Sequence, residues 1–198
     1  MNARKKTYIL GGIVLTALLV AGIVAYYGYN STSGQVQNSP DPQDASIIAA
    51  NFRILSQAHT DVCAYIGDQR ANTKYINSLA DDYYLQGSCC TPMVYSHYVS
   101  QIEGLKNYSN ISIIPRDPYN VSASSAKQMI AYDGIALTPS QQAVYDSAVK
   151  TSTEGPCCCQ CWAWYAHEGL AKALISQDGW NAQQIANIWD LEDCCGGP

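Results

Sequence analysis

The stretch that decides the fold reads GPCCCQC at residues 155–161 and WAWYAHEGLAKALIS at residues 162–176. A proline is well tolerated in the first turn of a helix, where its missing N–H has no intrahelical partner to lose. Apolar residues then recur at helical spacing. The pattern predicts a helix from Cys157 to Ser176 that begins with four cysteines.

Cysteines outside this stretch are clustered as well. Nine are present, and eight of them fall at residues 89–90, 157–161 and 194–195. Such clusters place several sulfur atoms near one point, as a thiophilic metal or a thiol-exchange centre requires. The ninth, Cys63, is most simply a core cysteine or a disulfide partner, and His59 lies four residues before it.

On the predicted helix, Cys161 lies on the same face as Cys157 and Cys158, whereas Cys159 points elsewhere. The positive end of the helix favours thiolates, which are the nucleophiles in exchange and the ligands of soft metals. The candidate metal ligands in the central and C-terminal clusters are Cys157, Cys158, Cys159, Cys161, Cys194 and Cys195.

His167 is a further candidate ligand, but its angle on the helix is unfavourable. It follows Cys161 by six residues and therefore lies about 240° further round the helix. It joins the cysteines only if residues 157–161 are partly non-helical, or if two sites exist. The alternative is that His167 and Glu168 form a solvated helix face.

The first cluster has possible partners of its own. Thr91 and Pro92 have the form of a helix start, which would place Met93 and His97 on one face after Cys89 and Cys90. Thiolate, thioether and imidazole together select copper, particularly Cu(I). The alternative has Met93 in the core and His97 at its rim. The candidate ligands here are Cys89, Cys90, Met93 and His97.

The N-terminal region predicts a membrane anchor. Residues 8–27 carry no charged side chain and end in tyrosines, and about 20 such residues span a hydrocarbon core of about 30 Å. The basic residues before them place the N-terminus in the cytoplasm and the rest of the chain outside. Cleavage near Ala25 is the competing interpretation. The predicted organisation is a cytoplasmic flank and anchor at 1–30, a linker at 31–43, and one extracytoplasmic domain at 44–198.

Charge agrees with this placement, since all 16 acidic residues lie beyond residue 30 while three of the 11 basic residues precede it. An acidic exterior argues against a nucleic-acid partner. Three glycosylation sequons, at Asn107, Asn110 and Asn120, predict one exposed loop in a glycoprotein, and a fourth begins at Asn30.

Helical periodicity dominates the exterior domain. It predicts helices from Asp44, from Asn72, over 122–132, over 138–149 and over 181–190, and the one strand-like run is 111–114. The fold class is all-α: a single N-terminal transmembrane helix plus a small cysteine-rich helical bundle.

Residues 156–198 resemble the PCYCGC-motif family of exported or membrane-anchored prokaryotic proteins. The motif is a proline with three alternating cysteines, a downstream histidine and a C-terminal cysteine pair. Cys157, Cys159, Cys161 and His167 fall on it, whereas Cys158 replaces its tyrosine and Gln160 its glycine. The pair at 194–195 is adjacent where the family spaces its cysteines. The resemblance implies location and a shared cysteine centre rather than an activity.

Three functions compete. The first is an extracytoplasmic metal-binding protein, with copper foremost and zinc as the alternative, acting with a redox or metal-transfer partner. The second is a structural or interaction module whose cysteines form disulfides, the usual fate of thiols outside the cytoplasm. The third is a thiol–disulfide oxidoreductase, although Cys-x-x-Cys in a βαβ pattern is missing. Hydrolase and nucleotide-binding motifs are also missing, so an enzyme is disfavoured.

Overall fold

The structure is a computed structural model that describes residues 42–58 and 73–197, and these residues are mostly helical. The α-helices are α1 (Pro42–Leu55), α2 (Thr73–Ser78), α3 (Tyr95–Leu105), α4 (Ala123–Tyr132), α5 (Pro139–Thr151), α6 (Trp162–Asp178) and α7 (Ala182–Leu191), and a 3-10 turn spans Lys106–Tyr108. Two short strands are β1 (Tyr84–Gln86) and β2 (Asn120–Ser122). The predicted helical character of residues 44–198 is therefore confirmed for the part that the structure describes.

Several predictions fall outside the described residues. They are the anchor at 1–30, most of the linker, and the His59 and Cys63 pair. Among the helices within 42–58 and 73–197, none is both long and apolar enough to cross a membrane. Helix α1 begins at Pro42, so the last two residues of the predicted linker belong to a helix.

The centre of the molecule is the contact between α4 and α6. Gly169 makes it possible, because a Cβ there would lie only 1.8 Å from the Met129 carbonyl oxygen. Lys172 donates from Nζ to the Asp133 carbonyl oxygen at 2.8 Å and so binds the end of α4 to α6. Nearly the whole inner length of α6 is buried, which its continuous apolar pattern predicts.

Helices α5 and α7 pack against each other beside this pair. Each begins at a capping box, with Thr138 and Asn181 as the N-cap residues. The rings of Tyr145 and Trp189 meet edge to face at a centroid distance of 5.5 Å. The predicted helices over 122–132, 138–149 and 181–190 are confirmed to within two residues.

The strand prediction was wrong. Residues 111–114 form turns, while β1 and β2 pair antiparallel with Leu85 opposite Val121. Strands of three residues are too short to leave an alternating pattern, so only the pairing reveals them. The predicted sequon loop is also not uniform, because Asn120 lies in β2 and its Oδ1 accepts a hydrogen bond from Gln86.

Two helix starts differ from the prediction. Helix α6 begins at Trp162 rather than Cys157, and α3 begins at Tyr95 rather than at Thr91. In the second case the N–H of Val94 is bonded to the Gly196 carbonyl oxygen at 2.9 Å, so this backbone pairs with the C-terminal segment instead. Helix α2 has only six residues, Thr73–Ser78.

Candidate metal centre

The C-terminal cysteine pair lies beside the first pair because their backbones are hydrogen bonded. The N–H of Cys89 donates to the Cys194 carbonyl oxygen at 2.9 Å. The N–H of Thr91 donates to the Cys195 carbonyl oxygen at 2.8 Å. The approach needs a glycine next to the pair. Gly196 has φ +113°, and a Cβ on it would lie 2.1 Å from the Thr91 carbonyl oxygen.

The central cluster, residues 157–161, forms a tight turn in front of α6 rather than its first turn. The N–H of Cys161 donates to the Cys159 carbonyl oxygen at 2.8 Å, and Cys161 is the extended N-cap of α6. His167 Nδ1 lies 2.6 Å from the Pro156 carbonyl oxygen. Because a carbonyl oxygen can only accept a hydrogen bond, Nδ1 carries the proton. The bond holds Pro156, the residue that precedes the turn, in place.

All three clusters meet. The Sγ–Sγ distances are 3.0 Å for Cys89–Cys194, 3.4 Å for Cys90–Cys158, 3.8 Å for Cys157–Cys161, 3.7 Å for Cys157–Cys195 and 2.9 Å for Cys158–Cys195. A covalent sulfur–sulfur bond measures about 2.05 Å. These pairs are therefore contacts between thiols or thiolates. The predicted convergence of the clusters is present in the fold.

Among residues 42–58 and 73–197, two sets of three cysteines are compact enough to hold one metal ion. In each set the sulfur atoms all lie within 4.8 Å of one another. The sets are Cys90, Cys158 and Cys195, and Cys157, Cys158 and Cys159. Cys158 belongs to both. The expectation that Cys159 points away from the other sulfurs was wrong, because the turn replaces the helical angles on which it depended.

Two of the sulfurs are favoured as thiolates. Contacts with Cys157 and Cys89 lower the pKa of Cys161 to about 2 despite its burial, and N–H groups at the start of α6 act in the same direction. Contact with Cys157 also lowers the pKa of Cys195, with Cys158 contributing. Cys157 therefore contacts the two cysteines whose pKa is lowered.

The neighbouring thiols hold their protons more strongly. The contact with Cys161 is the largest of the effects that raise the pKa of Cys89 and of Cys157. Burial raises the pKa of Cys158 to about 11. The contact with Cys89 lowers the pKa of Cys194, but burial and nearby negative charge outweigh it and the pKa rises to about 11. A metal that binds these sulfurs must displace their protons, so its affinity is expected to rise with pH.

His167 is buried, at 4% exposure, so the interpretation of this residue as part of a solvated face was wrong. Burial lowers its pKa and keeps the ring neutral. Because Nδ1 holds the proton, Nε2 carries the lone pair, as in histidines that bind metals. Neither compact set of sulfurs includes a histidine, however. The hydrogen bond of the His167 side chain to the Pro156 carbonyl oxygen instead positions the start of the cysteine turn.

Met93 and His97 do not share a helix face, because α3 begins after Met93. Met93 is buried in the core, as the alternative interpretation of this residue predicts. His97 is half-buried, and within the described part of the chain its Nε2 has no hydrogen-bond partner. Within the described part of the chain, the cysteines of the first cluster lie next to other cysteine sulfurs. No compact set of candidate metal ligands there includes His97.

Polar residues that support the C-terminal pair were missed. Asp193 accepts the N–H of Cys195 on Oδ1 at 3.0 Å, and Gln101 donates to the Asp193 carbonyl oxygen at 2.6 Å. Glu192 is 1% exposed, and neither carboxyl oxygen has a hydrogen-bond partner among residues 42–58 and 73–197. Burial raises its pKa. The Asp193 contact had a local signal, since aspartate often bonds the N–H two residues on.

Comparison with known protein families, curated proteins and solved structures finds no match for this chain. The arrangement of the sulfurs itself therefore carries the functional argument.

Proposed function

We propose that this chain is a membrane-anchored extracytoplasmic protein that binds a soft metal ion, copper as Cu(I) foremost, in metal handling or electron transfer. The observation that carries the proposal is the meeting of cysteines from three distant segments, with Sγ–Sγ distances of 2.9 to 3.8 Å. Clustered thiolates select Cu(I), zinc and iron–sulfur clusters over harder ions.

The spacing of the sulfurs suits coordination. Four thiolates about 2.3 Å from a tetrahedral ion are about 3.8 Å apart. The sulfur of Cys157 is 3.8 Å from that of Cys161 and 3.7 Å from that of Cys195. These two neighbours are also the cysteines whose pKa is lowered, which favours the thiolate form that binds a metal. Zinc is the nearest alternative ion.

The location rests on the sequence. The uncharged residues 8–27 after a basic N-terminus favour a single-pass anchor in the cell membrane with the cysteine domain outside. The local resemblance to the PCYCGC-motif family supports the same placement. A redox or metal-transfer protein outside the membrane would be the partner.

Metal retention tests the proposal. The full chain is purified in mild detergent under reducing conditions, loaded anaerobically with Cu(I), and dialysed before elemental analysis. About one or two copper ions per chain should remain. Cys161→Ser should lose copper, whereas Gln160→Ser, an exposed change in the same turn, should retain it. A wild-type chain that retains no soft metal would overturn the proposal.

A disulfide-linked structural module is the second candidate, favoured by the two closest pairs. Cys89 and Cys194 are 3.0 Å apart and Cys158 and Cys195 are 2.9 Å apart, so a small movement in an oxidising compartment would join them. Alkylation of the chain without reductant, followed by intact mass, distinguishes the two. Four disulfides with one alkylated cysteine favour the structural module over the metal site.

A further inference from the structure

Seven of the cysteine sulfurs form one continuous line. In order the line runs Cys194, Cys89, Cys161, Cys157, Cys195, Cys158, Cys90. Five of its six steps have Sγ–Sγ distances of 2.9 to 3.8 Å, and across the remaining step Cys89 and Cys161 shift each other's pKa. Cys159 lies beside the line, near Cys157 and Cys158.

The two ends of the line differ in exposure. The inner group, Cys89, Cys161 and Cys194, is buried, with exposures of 8%, 0% and 2%. In the outer group, Cys90, Cys158 and Cys195, the first two are exposed to solvent. The outer group is also one of the two sets compact enough to hold an ion. Cys157 connects the groups, since it contacts both Cys161 and Cys195.

We infer that the outer group is an exchange site at which Cu(I) enters and leaves, and that the line conducts the ion to a retention site at the inner group. The inference rests on the proposed function and adds a direction of transfer to it. An ion held only at the outer group remains in reach of competing ligands in solvent. An ion at the inner group is surrounded by buried sulfurs, and Cys157 connects that group to the outer one.

Each step of the transfer is a ligand exchange without a change of oxidation state. One copper–sulfur bond forms to the next sulfur in the line while one breaks at the sulfur behind, and the ion remains Cu(I). The proton displaced from the newly bound thiol passes to the thiolate that is released. Neighbouring sulfurs within 4 Å allow the ion to be held by both partners during the step, so it is not released into water between them.

The test measures copper exchange in the full chain in detergent under anaerobic reducing conditions. The wild type is loaded with one equivalent of Cu(I) and challenged with the water-soluble chelator bathocuproine disulfonate. The outer variant, Cys90→Ser with Cys158→Ser, changes exposed residues and should fold, which circular dichroism verifies. Gln160→Ser is the matched control, because it changes an exposed residue of the same turn that is not a candidate ligand.

The outer variant should retain its inner ion. Its rates of copper loading and release should be at least about tenfold lower than those of the wild type. Gln160→Ser should exchange at the wild-type rate. Equal rates in the outer variant and the wild type, or an outer variant that holds no copper, would overturn the inference while the proposed function stands. A wild type that holds no copper would instead overturn the proposed function.

A second measurement does not depend on variants. A charged maleimide added to the chain with one equivalent of Cu(I) should modify Cys90 and Cys158 while the inner group is protected. Protection of the outer group with modification of the inner group would contradict the inferred direction.

Discussion

The contact between α4 and α6 and the turn-rich cysteine centre are built in different ways. The helix pair is formed by apolar residues at regular spacing and closed by Gly169, where the two backbones meet. The cysteine centre has little regular structure, and backbone bonds such as that from Cys89 to Cys194 hold it together across 105 residues of sequence. One region is stable through packing, whereas the other depends on long-range pairing that can accommodate a ligand.

Stability and sulfur chemistry can therefore be changed separately in this molecule. Damage to the helix pair should unfold the chain. Damage to the backbone pairing of the cysteine centre should remove metal binding at a smaller cost in stability.

The largest effect on stability is expected for Gly169→Ala. Its Cβ would lie 1.8 Å from the Met129 carbonyl oxygen, so α4 and α6 must separate. We expect a loss of about 3 kcal/mol in the free energy of unfolding, measured by urea titration. Gly134→Ala is the control, because its Cβ would lie 3.6 Å from the nearest atom and should change stability by less than about 1 kcal/mol. Equal stability of the two variants would contradict the role of the close approach.

A smaller loss of stability, but a large loss of copper, is expected for Gly196→Ala. Its Cβ would collide with the Thr91 carbonyl oxygen at 2.1 Å and separate the C-terminal pair from the first cluster. We expect a cost of about 2 kcal/mol and loss of retained Cu(I), measured by elemental analysis. Gly155→Ala has a similar positive φ but no atom within 4 Å of its Cβ, so it should keep its copper. Copper loss in both variants would mean that backbone strain alone disrupts the centre.

The smallest effect concerns Glu192, which lies between the end of α7 and the C-terminal cysteine pair. Burial raises its pKa in the folded chain, so above about pH 4.5 the unfolded chain releases a proton that the folded chain keeps. Stability should therefore fall as the pH rises from 5 to 7. Glu192→Gln removes this dependence and should be more stable than the wild type at pH 7.

Urea titrations of the metal-free chain at pH 5, 6 and 7 measure that difference. Asp82→Asn, a change to an exposed carboxylate, serves as the control and should follow the wild type. If Glu192→Gln and the wild type show parallel pH profiles, Glu192 ionises as readily in the folded chain as in the unfolded one.

The sequence predicts most of the helices well and the cysteine centre only in outline. Thr138 and Asn181 are N-caps because their local sequences satisfy the first N–H groups of a helix, and such signals are visible without a structure. Cys157 follows a proline, and a proline at that position is also typical of the start of a helix. The segment instead turns, and contacts to Cys161 and Cys195, which local sequence does not encode, accompany that turn.

Native mass spectrometry of the full chain, purified anaerobically without added reductant, loaded with Cu(I) and released from detergent, tests the central claim most directly. One spectrum reports both the retained ions and the oxidation state of the nine cysteines. The account predicts a chain with one or two copper ions and no disulfide among the three cysteine clusters. A copper-free chain whose mass is lower by the hydrogens of four disulfides would contradict it.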